Sequence, residues 1–462
     1  MSSIRGSSWL RTAQGLGSGR RGAAYGKNSY GKGPGGKASY GKLAPVRPPS
    51  QRATGYGKLP PVRPPGRWPG GSPLGQEAPR TPLLRRLLSR QSPLRKLDYV
   101  LVAAVLALSL VGTLLVWSAT QPGLLASGAD PRTYLYKQLL NIGLGLIFML
   151  TVSLLDYRQL RLYAPFLYAA SCLGLLVVLT PLGSTVNGAH SWISLVSGFQ
   201  IEPSEFAKLA IILMSAMFLG ELRQSDARPR MRAVARTVVC AAVPIGLVVL
   251  EPDLGVVILL LVLLVGLIAL SGIRLWWLAA VLASGTLVAI AALKLHLLKA
   301  YQLGRLTSFA NPSADPRGTG YSAAQAKIAI GSGGLTGQGL FHGQLIAGNF
   351  VPEQHTDFIF AVAGEELGFV GAVLIIGLLA VVLLRALRIA ARADDQFGML
   401  VAAGIAIWFA VQSFINIGMT VGIMPVTGLP LPFVSYGGSA IFADMIAIGA
   451  LQAVHKRHSV FS

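Results

Sequence analysis

The sequence predicts an all-α integral membrane protein: a polytopic bundle of about ten transmembrane helices, with a long extracytoplasmic loop and a disordered, basic N-terminal tail. Of the 462 residues, 53% are apolar and only 13% are charged, whereas about a quarter of the residues in soluble domains are charged. Residues 99–129 contain no Lys, Arg, Asp or Glu, and about 20 apolar residues in a helix are enough to cross a bilayer. The two cysteines exclude a disulfide framework and a cysteine-based metal site.

The basic charge is concentrated before the first apolar segment. Residues 1–97 hold 19 of the 40 Lys and Arg residues but a single acid, Glu77. Residues 1–82 are rich in Gly and Pro and repeat the sequence KLAPVRPP, from Lys42, as KLPPVRPP, from Lys58. Such a segment buries too little apolar surface to offset the entropy of ordering it, so we expect a disordered cytoplasmic tail.

The tail is either a solvated, non-specific segment or a binding site for anionic lipids or an acidic cytoplasmic partner. Nucleic-acid binding is not expected, because the tail contains no recognisable nucleic-acid-binding module. Residues 83–97 alternate Leu and Arg beside the first span and are expected to form a basic amphipathic juxtamembrane segment. Residues 98–462 then form the ten-span domain.

The ten predicted spans follow the long apolar runs. They cover about residues 99–119, 134–155, 163–182, 204–221, 233–250, 254–272, 275–296, 369–390, 397–419 and 438–455. Basic residues concentrate in the short loops that face the same side as the tail, including 223–232 and the C-terminal pair Lys456-Arg457. Because cytoplasmic loops carry the excess of Lys and Arg, we expect both termini in the cytoplasm and the long stretch 297–357 outside.

Polar residues in or beside the spans suggest where function resides. Pro203 suits the first turn of a helix, which places Glu205 and Lys208 on one helix face. The two side chains either form an internal ion pair or present a cation to an anionic headgroup. Trp192, in the preceding loop, is either an interfacial anchor or a stacking platform for a sugar. Asp253 is expected to cap the next helix.

Asp357 is the strongest candidate for a catalytic group. It is followed by Phe358-Ile359-Phe360, which would raise its pKa by desolvation, whereas Arg305 or Lys208 nearby would lower it. The carboxylate is either a general base or a member of an ion pair or helix cap.

Two further features concern the last three spans. The apolar run after Asp357 is too long for one span, so we expect a break near 364–371, with Glu365 and Glu366 lining the cavity or a partner surface. Residues 424–440 contain three prolines and three glycines and are expected to form an irregular outer loop. Asp444 is an isolated acid in the tenth span that the sequence alone does not explain.

The chain lacks a GxxxxGK[ST] motif, an HExxH motif and a nucleophile elbow. Their absence disfavours an ATP-driven pump, a zinc protease and an α/β-hydrolase.

Several of these segments together resemble the SEDS family of shape, elongation, division and sporulation proteins, which includes RodA, FtsW and SpoVE. The resemblance covers about residues 98–457. It rests on the segments NGAHSW, PSEFAKLA, EPDLG, RLTSFANPSADPRGTGY, KIAIGSGGLTGQG, PEQHTDFIFAVAGEELGFVG and PLPFVSYGGS. The run AKIAIGSGGLTGQGLFHG is more similar to RodA, the elongation member, than to the division-specific FtsW.

The resemblance implies a peptidoglycan glycosyltransferase that polymerises lipid II at the outer face of the cytoplasmic membrane, with a class B penicillin-binding protein as its transpeptidase partner. It implies that Asp357 is the essential acid. The residues expected to bind substrate are Trp192, Glu205, Lys208, Arg305, Gln325, Lys327 and His355. A divalent cation, Mg²⁺ or Mn²⁺, is a possible cofactor that would share the pyrophosphate with Arg305, Lys208 and Lys327.

The chain departs from the family pattern at four positions. His190 and Ser191 precede Trp192 where many members have Arg, and Glu202 and Glu251 stand where many have Gln. Other functions remain open at this point: a lipid II flippase, a scaffold that recruits the transpeptidase, or an FtsW-type polymerase.

Overall fold

The computed structural model describes residues 96–186, 189–194, 200–220, 231–273, 275–294, 302, 304–305, 307, 309 and 318–461. The predicted tail of residues 1–82, all but the end of the juxtamembrane segment 83–97 and the basic loop 221–230 lie outside the described residues.

Helices dominate the described residues, which confirms the predicted fold class. They are α1 Tyr99–Ala126, α2 Thr133–Leu154, α3 Tyr157–Val178, α4 Pro203–Leu219, α5 Met231–Leu250, α6 Leu254–Leu270, α7 Leu275–Lys294, α8 Thr319–Ser332, α9 Gln344–Ala347, α10 Ile359–Glu366, α11 Gly368–Ala391, α12 Gln396–Val421 and α13 Gly438–Phe461. Within the described residues, seven helices are long and apolar enough to cross a membrane: α1, α2, α3, α5, α11, α12 and α13. The other three predicted spans coincide with α4, α6 and α7, which are 17 to 20 residues long.

Capping residues define several helix starts. The side chains of Asp98, Asp253 and Asp395 each accept a hydrogen bond from a backbone N–H in the first turn of α1, α6 and α12, which satisfies a donor that the helix leaves open. Pro203 occupies the first turn of α4, as predicted. Helices α4, α12 and α13 have the most extensively buried side chains, and they form the centre of the bundle.

A small antiparallel sheet precedes α4 and was not predicted. Its strands are β1 Gly183–Val186, β2 Ala189–Ser194 and β3 Gln200–Ile201, in the order β1-β2-β3. Trp192 therefore lies in a strand, opposite Ser184, and not in a loop. Strands of two to six residues are too short for a clear alternation of apolar and polar residues, so sequence periodicity gave no signal.

The predicted helix break near 364–371 is confirmed. Helix α10 ends at Glu366 and α11 begins at Gly368, with Leu367 between them. Gly368 has φ +66°, and a Cβ there would lie 2.3 Å from the Gly337 nitrogen. Only glycine accommodates both the positive φ and this close backbone approach.

The expectation that Glu365 and Glu366 line the cavity or a partner surface is wrong, because both side chains are buried inside the protein. The Glu365 carboxylate accepts from the N–H groups of Leu345 (2.8 Å) and Ile346 (3.2 Å). The Glu366 carboxylate accepts from the Ser118 hydroxyl on α1. The two carboxylates accept hydrogen bonds from backbone and hydroxyl donors. These bonds attach the segment that precedes Asp357 to the helix bundle.

The segment 422–437, between α12 and α13, contains no helix or strand, in agreement with the predicted irregular loop. We call it the wall segment, because it forms one wall of the cavity described below. Asp444, on α13, accepts from the Phe433 N–H at 3.3 Å. This contact accounts for one oxygen of an acid that the sequence left unexplained.

Candidate functional site

One end of the bundle contains a cavity of about 540 Å³. Its walls come from β2, the turn before α6, the turn before α10, the wall segment and the first turns of α2. The lining residues are Tyr134, Lys137, Leu140, Asn141, Ser191, Trp192, Gln200, Glu202, Pro252, Asp253, Arg305, Glu353, His355, Thr356, Asp357, Thr427, Gly428, Tyr436, Gly437 and Gly438.

Asp357 lies in this cavity, in a turn directly before α10. Its N–H donates to the Glu353 carbonyl at 3.1 Å, and its own carbonyl accepts from the Asn416 amide at 2.8 Å. Burial, together with the nearby Glu353 and Asp253 carboxylates, raises the pKa of Asp357 to about 7, although Arg305 opposes the shift. A carboxylate with a pKa near the working pH is suited to exchanging a proton with a substrate.

Arg305 faces the same point of the cavity as Asp357. Its Nη1 donates to the Thr427 carbonyl at 3.0 Å. The neighbouring Gly428 has φ +81°, and a Cβ there would lie 3.5 Å from Asp357 Oδ2 and 3.9 Å from Arg305 Nη1. The acid and the cation therefore lie near each other, beside a stretch of backbone that has no side chain.

Aromatic rings also line the cavity. Trp192 is half-buried in the cavity wall. Tyr134, His355 and Tyr436 contact one another, with ring centroids 5.0 to 5.7 Å apart. Burial lowers the pKa of His355 and raises that of Tyr436 to about 12, so both rings are neutral at pH 7. Neutral aromatic faces suit the apolar faces of sugars and lipid chains.

The Glu205–Lys208 pair lies below this cavity and is sealed from it. Lys208 Nζ is 2.5 Å from Glu205 Oε2, and it donates to Gln412 Oε1 at 2.9 Å. Both charged side chains are at most 1% exposed, and neither lines the cavity in the described part of the chain. The predicted ion pair is present, whereas the prediction that Lys208 and Glu205 contact substrate directly does not fit this geometry.

Gln325 and Lys327, both on α8, are also absent from the lining formed by the described residues. Lys327 is exposed, and its Nζ lies 3.2 Å from the Cβ position of Gly422, just beyond the last turn of α12. A cation at the C-terminus of a helix is stabilised by the helix dipole. The structure therefore separates these two residues from Asp357, Arg305, Trp192 and His355, which it brings together.

The charges that line the cavity are mainly acidic. Four carboxylates line it, against the cations Lys137 and Arg305: Glu202, Asp253, Glu353 and Asp357. Burial raises the pKa of Glu202 and of Asp253. Glu251, in the same turn as Asp253, is fully buried with a pKa raised by burial to about 8. Within the ranges that the structure describes, no group of three potential metal ligands occurs.

Sequence reasoning did not identify several of the lining residues. The sequence places Tyr134 and Lys137 at the start of an apolar span and Tyr436 in an irregular loop. The one available signal was a lysine and two tyrosines beside the ends of spans, a pattern that interfacial anchoring explains equally well.

The comparisons with known proteins agree with the geometry. Residues 99–460 match the model of the FtsW, RodA and SpoVE family, described as "Cell cycle protein". The chain is 37% identical over 366 residues to the peptidoglycan glycosyltransferase MrdB of Escherichia coli K12, covering 79% of this chain and 95% of MrdB. It is 36% identical to the probable peptidoglycan glycosyltransferase FtsW of Trichlorobacter lovleyi, covering 79% and 94%.

A solved structure from work on the structural coordination of polymerization and crosslinking by a peptidoglycan synthase complex is similar to this fold, with a TM-score of 0.64 and 30% identity. The match covers 78% of this chain and 98% of that one. The family match spans more than half of the sequence and includes every described residue of the cavity. The chain therefore belongs to the FtsW, RodA and SpoVE family of cell cycle proteins.

Proposed function

We propose that this chain is a peptidoglycan glycosyltransferase that polymerises lipid II into glycan strands at the outer face of the cytoplasmic membrane during cell elongation. The observation that carries the proposal is the placement of Asp357. Its carboxylate has a pKa of about 7 and faces Arg305 across Gly428 in a cavity large enough for a sugar. The curated relatives with the same activity in their names support the reaction class.

In this mechanism, Asp357 acts as the general base. The 4-hydroxyl oxygen of the acceptor sugar forms a bond to the anomeric carbon of a lipid-linked donor sugar, and the bond from that carbon to the pyrophosphate oxygen breaks. The proton of the hydroxyl passes to Asp357, and the polyprenyl pyrophosphate leaves. Attack from the face opposite the leaving group inverts the anomeric carbon.

Arg305 stabilises the negative charge that develops on the leaving pyrophosphate. A fixed guanidinium in a site with limited water is more effective for this purpose than a solvated cation. Its hydrogen bond to the Thr427 carbonyl holds the side chain in place before substrate binds. Trp192 and the rings of Tyr134, His355 and Tyr436 provide stacking surfaces for the sugars.

A divalent cation fits the excess of carboxylates in the cavity. Mg²⁺ is commonly held by one or two carboxylates together with substrate phosphates, and such a site needs no cluster of three protein ligands. Glu353, an exposed carboxylate in the cavity lining, is the residue that would share the ion with the pyrophosphate. The ion would neutralise phosphate charge beside Arg305.

The proposal includes both termini in the cytoplasm and the cavity on the outer side, in keeping with the distribution of Lys and Arg. A class B penicillin-binding protein is the proposed partner, in line with the similarity to a structure from a synthase complex that couples polymerization and crosslinking. For the basic tail, we propose contact with anionic lipids or an acidic cytoplasmic protein.

Polymerisation by the purified protein tests the proposal. We expect glycan strands from wild type with lipid II and Mg²⁺, and a loss of about 10²–10⁴-fold in rate for Asp357→Asn, which is the usual contribution of a general base. Asp130→Asn, which changes an exposed carboxylate outside the cavity lining that the structure describes, is the control and should retain much more activity. Transport of lipid II across vesicle membranes without formation of polymer would favour a flippase. Polymerisation that is carried out only by an added transpeptidase would favour a scaffold.

A further inference from the structure

Asn416 is a buried amide on α12 that connects two walls of the cavity. Its Nδ2 group donates to the carbonyl of Asp357 and to the carbonyl of Leu429, both at 2.8 Å. The side chain is 0% exposed. A primary amide has two N–H bonds, and these two carbonyls use both. One planar group therefore sets the separation between the backbone that carries Asp357 and the wall segment.

The part of the wall segment that Asn416 holds is the part that faces the base. Leu429 directly follows Gly428, across which Asp357 Oδ2 and Arg305 Nη1 approach each other. Arg305 is held by the carbonyl of Thr427, two residues before Leu429. The position of the cation is thereby linked to the position of the base through Asn416.

Gln412, one helical turn before Asn416, provides a comparison. Its Nε2 donates to the Pro430 carbonyl at 2.8 Å, and its Oε1 accepts from Lys208 and from Trp408 Nε1. These bonds attach the wall segment to α4 and α12 but do not reach Asp357. Of these two amide side chains on α12, Asn416 is the one that contacts the backbone of Asp357.

We propose that Asn416 is a positioning residue for glycosyl transfer, which holds Asp357 and the Thr427–Leu429 backbone at the separation required for the base and Arg305 to act on one substrate. The proposal rests on the proposed function of Asp357. An error of about 1 Å in the position of a reacting group can reduce a rate by about 10²-fold, so a single buried amide is sufficient to control the reaction.

Substitution of Asn416 should lower kcat rather than weaken substrate binding. Asn416→Asp keeps the shape of the side chain but removes both donors when ionised, and Asn416→Ala removes the group altogether. For both we expect kcat to fall by about 10–100-fold, with the KM for lipid II within about threefold of wild type. Ser413→Ala is the matched control, because Ser413 is buried on the same helix and its hydroxyl has no hydrogen-bond partner among the described residues.

The pH profile separates positioning from a purely structural role. Arg305 lowers the pKa of Asp357, whereas Glu353 and Asp253 raise it. If Asn416 keeps Arg305 near the base, its loss should move the acidic limb of the rate profile to higher pH by at least about 0.5 unit. Reduced folding alone would lower the amount of active protein without moving this limb.

The experiment measures lipid II polymerisation at several pH values, with each rate expressed per molecule in the monodisperse gel-filtration peak. The positioning role would be overturned if folded Asn416→Asp had the kcat of wild type and an unshifted acidic limb. It would also be overturned if the activity losses of Asn416→Asp and Asn416→Ala were fully explained by their smaller fractions of folded protein. Asp357→Asn run in parallel distinguishes the two proposals. Activity in that variant refutes the base, whereas its inactivity beside a normal Asn416→Asp refutes only the positioning.

Discussion

The Asp357–Arg305 and Glu205–Lys208 groups combine the same kinds of charge but differ in their access to substrate. Asp357 and Arg305 both line the cavity and face each other across Gly428. Glu205 and Lys208 are 2.5 Å apart and are sealed beneath it. In the first arrangement both charged groups line the cavity, whereas in the second the two charges pair with each other in the interior. Access to the cavity, more than the identity of the charges, distinguishes the proposed catalytic groups from the buried ion pair.

The largest expected effect concerns the sealed pair. Lys208→Met leaves Glu205 as an uncompensated buried charge, which typically costs about 3–5 kcal/mol. We expect a large fall in the thermal unfolding temperature of the detergent-solubilised protein.

The double variant Glu205→Gln/Lys208→Met, which removes both charges, should recover most of the lost stability. A stable Lys208→Met protein that fails to bind lipid II would instead show that Lys208 contacts substrate, and the distinction drawn between the two pairs would be lost.

Gly428→Ala tests the gap between Asp357 and Arg305. The new methyl group would occupy the space where the two groups meet, at a φ of +81° that costs about 1–2 kcal/mol for a residue with a Cβ. We expect a rate loss of about 10–100-fold, measured as lipid II polymerisation per folded molecule. Gly377→Ala, where a Cβ meets no atom within 4 Å, is the control, and equal losses in both variants would contradict the role given to Gly428.

The rate of polymerisation should depend on pH as the titration of Asp357 requires. A general base works in its ionised form, and burial raises the pKa of Asp357 to about 7. Activity should therefore rise with pH up to about 7 and fall by about tenfold per unit below it. A rate that stays constant from pH 5 to pH 8 would exclude a base with this pKa.

The smallest effect is expected for Lys327, which was a candidate for the pyrophosphate but lies outside the cavity lining that the structure describes. Lys327→Met should change kcat and KM by less than about threefold, because the removed charge is exposed and does not contact the described lining of the cavity. A loss comparable to that of an Arg305→Met variant would place Lys327 at the substrate.

The sequence was most informative where one physical quantity decides the outcome. The length of the apolar runs located the ten longest helices of the described residues and the break near Gly368, and the prolines and glycines of 424–440 located the irregular loop. It was least informative about which side chains meet. The spacing of Glu205 and Lys208 correctly predicted an ion pair, but spacing along one helix does not reveal whether another helix covers that pair.

The catalytic candidates show the same limit. Asp357, Arg305, Trp192 and His355 stand in separate motifs along the sequence, and the structure brings them into one cavity. Asn416 could not be predicted to join them, because an amide within an apolar helix gives no indication of its partners. Its two acceptors come from segments 59 and 13 residues away.

At Gly428 the cavity is lined by peptide backbone. A side chain at this position would change the shape of the lining with each rotamer, whereas glycine has no side chain and therefore no rotamers. Incoming sugars therefore meet a surface of fixed outline beside Asp357 and Arg305.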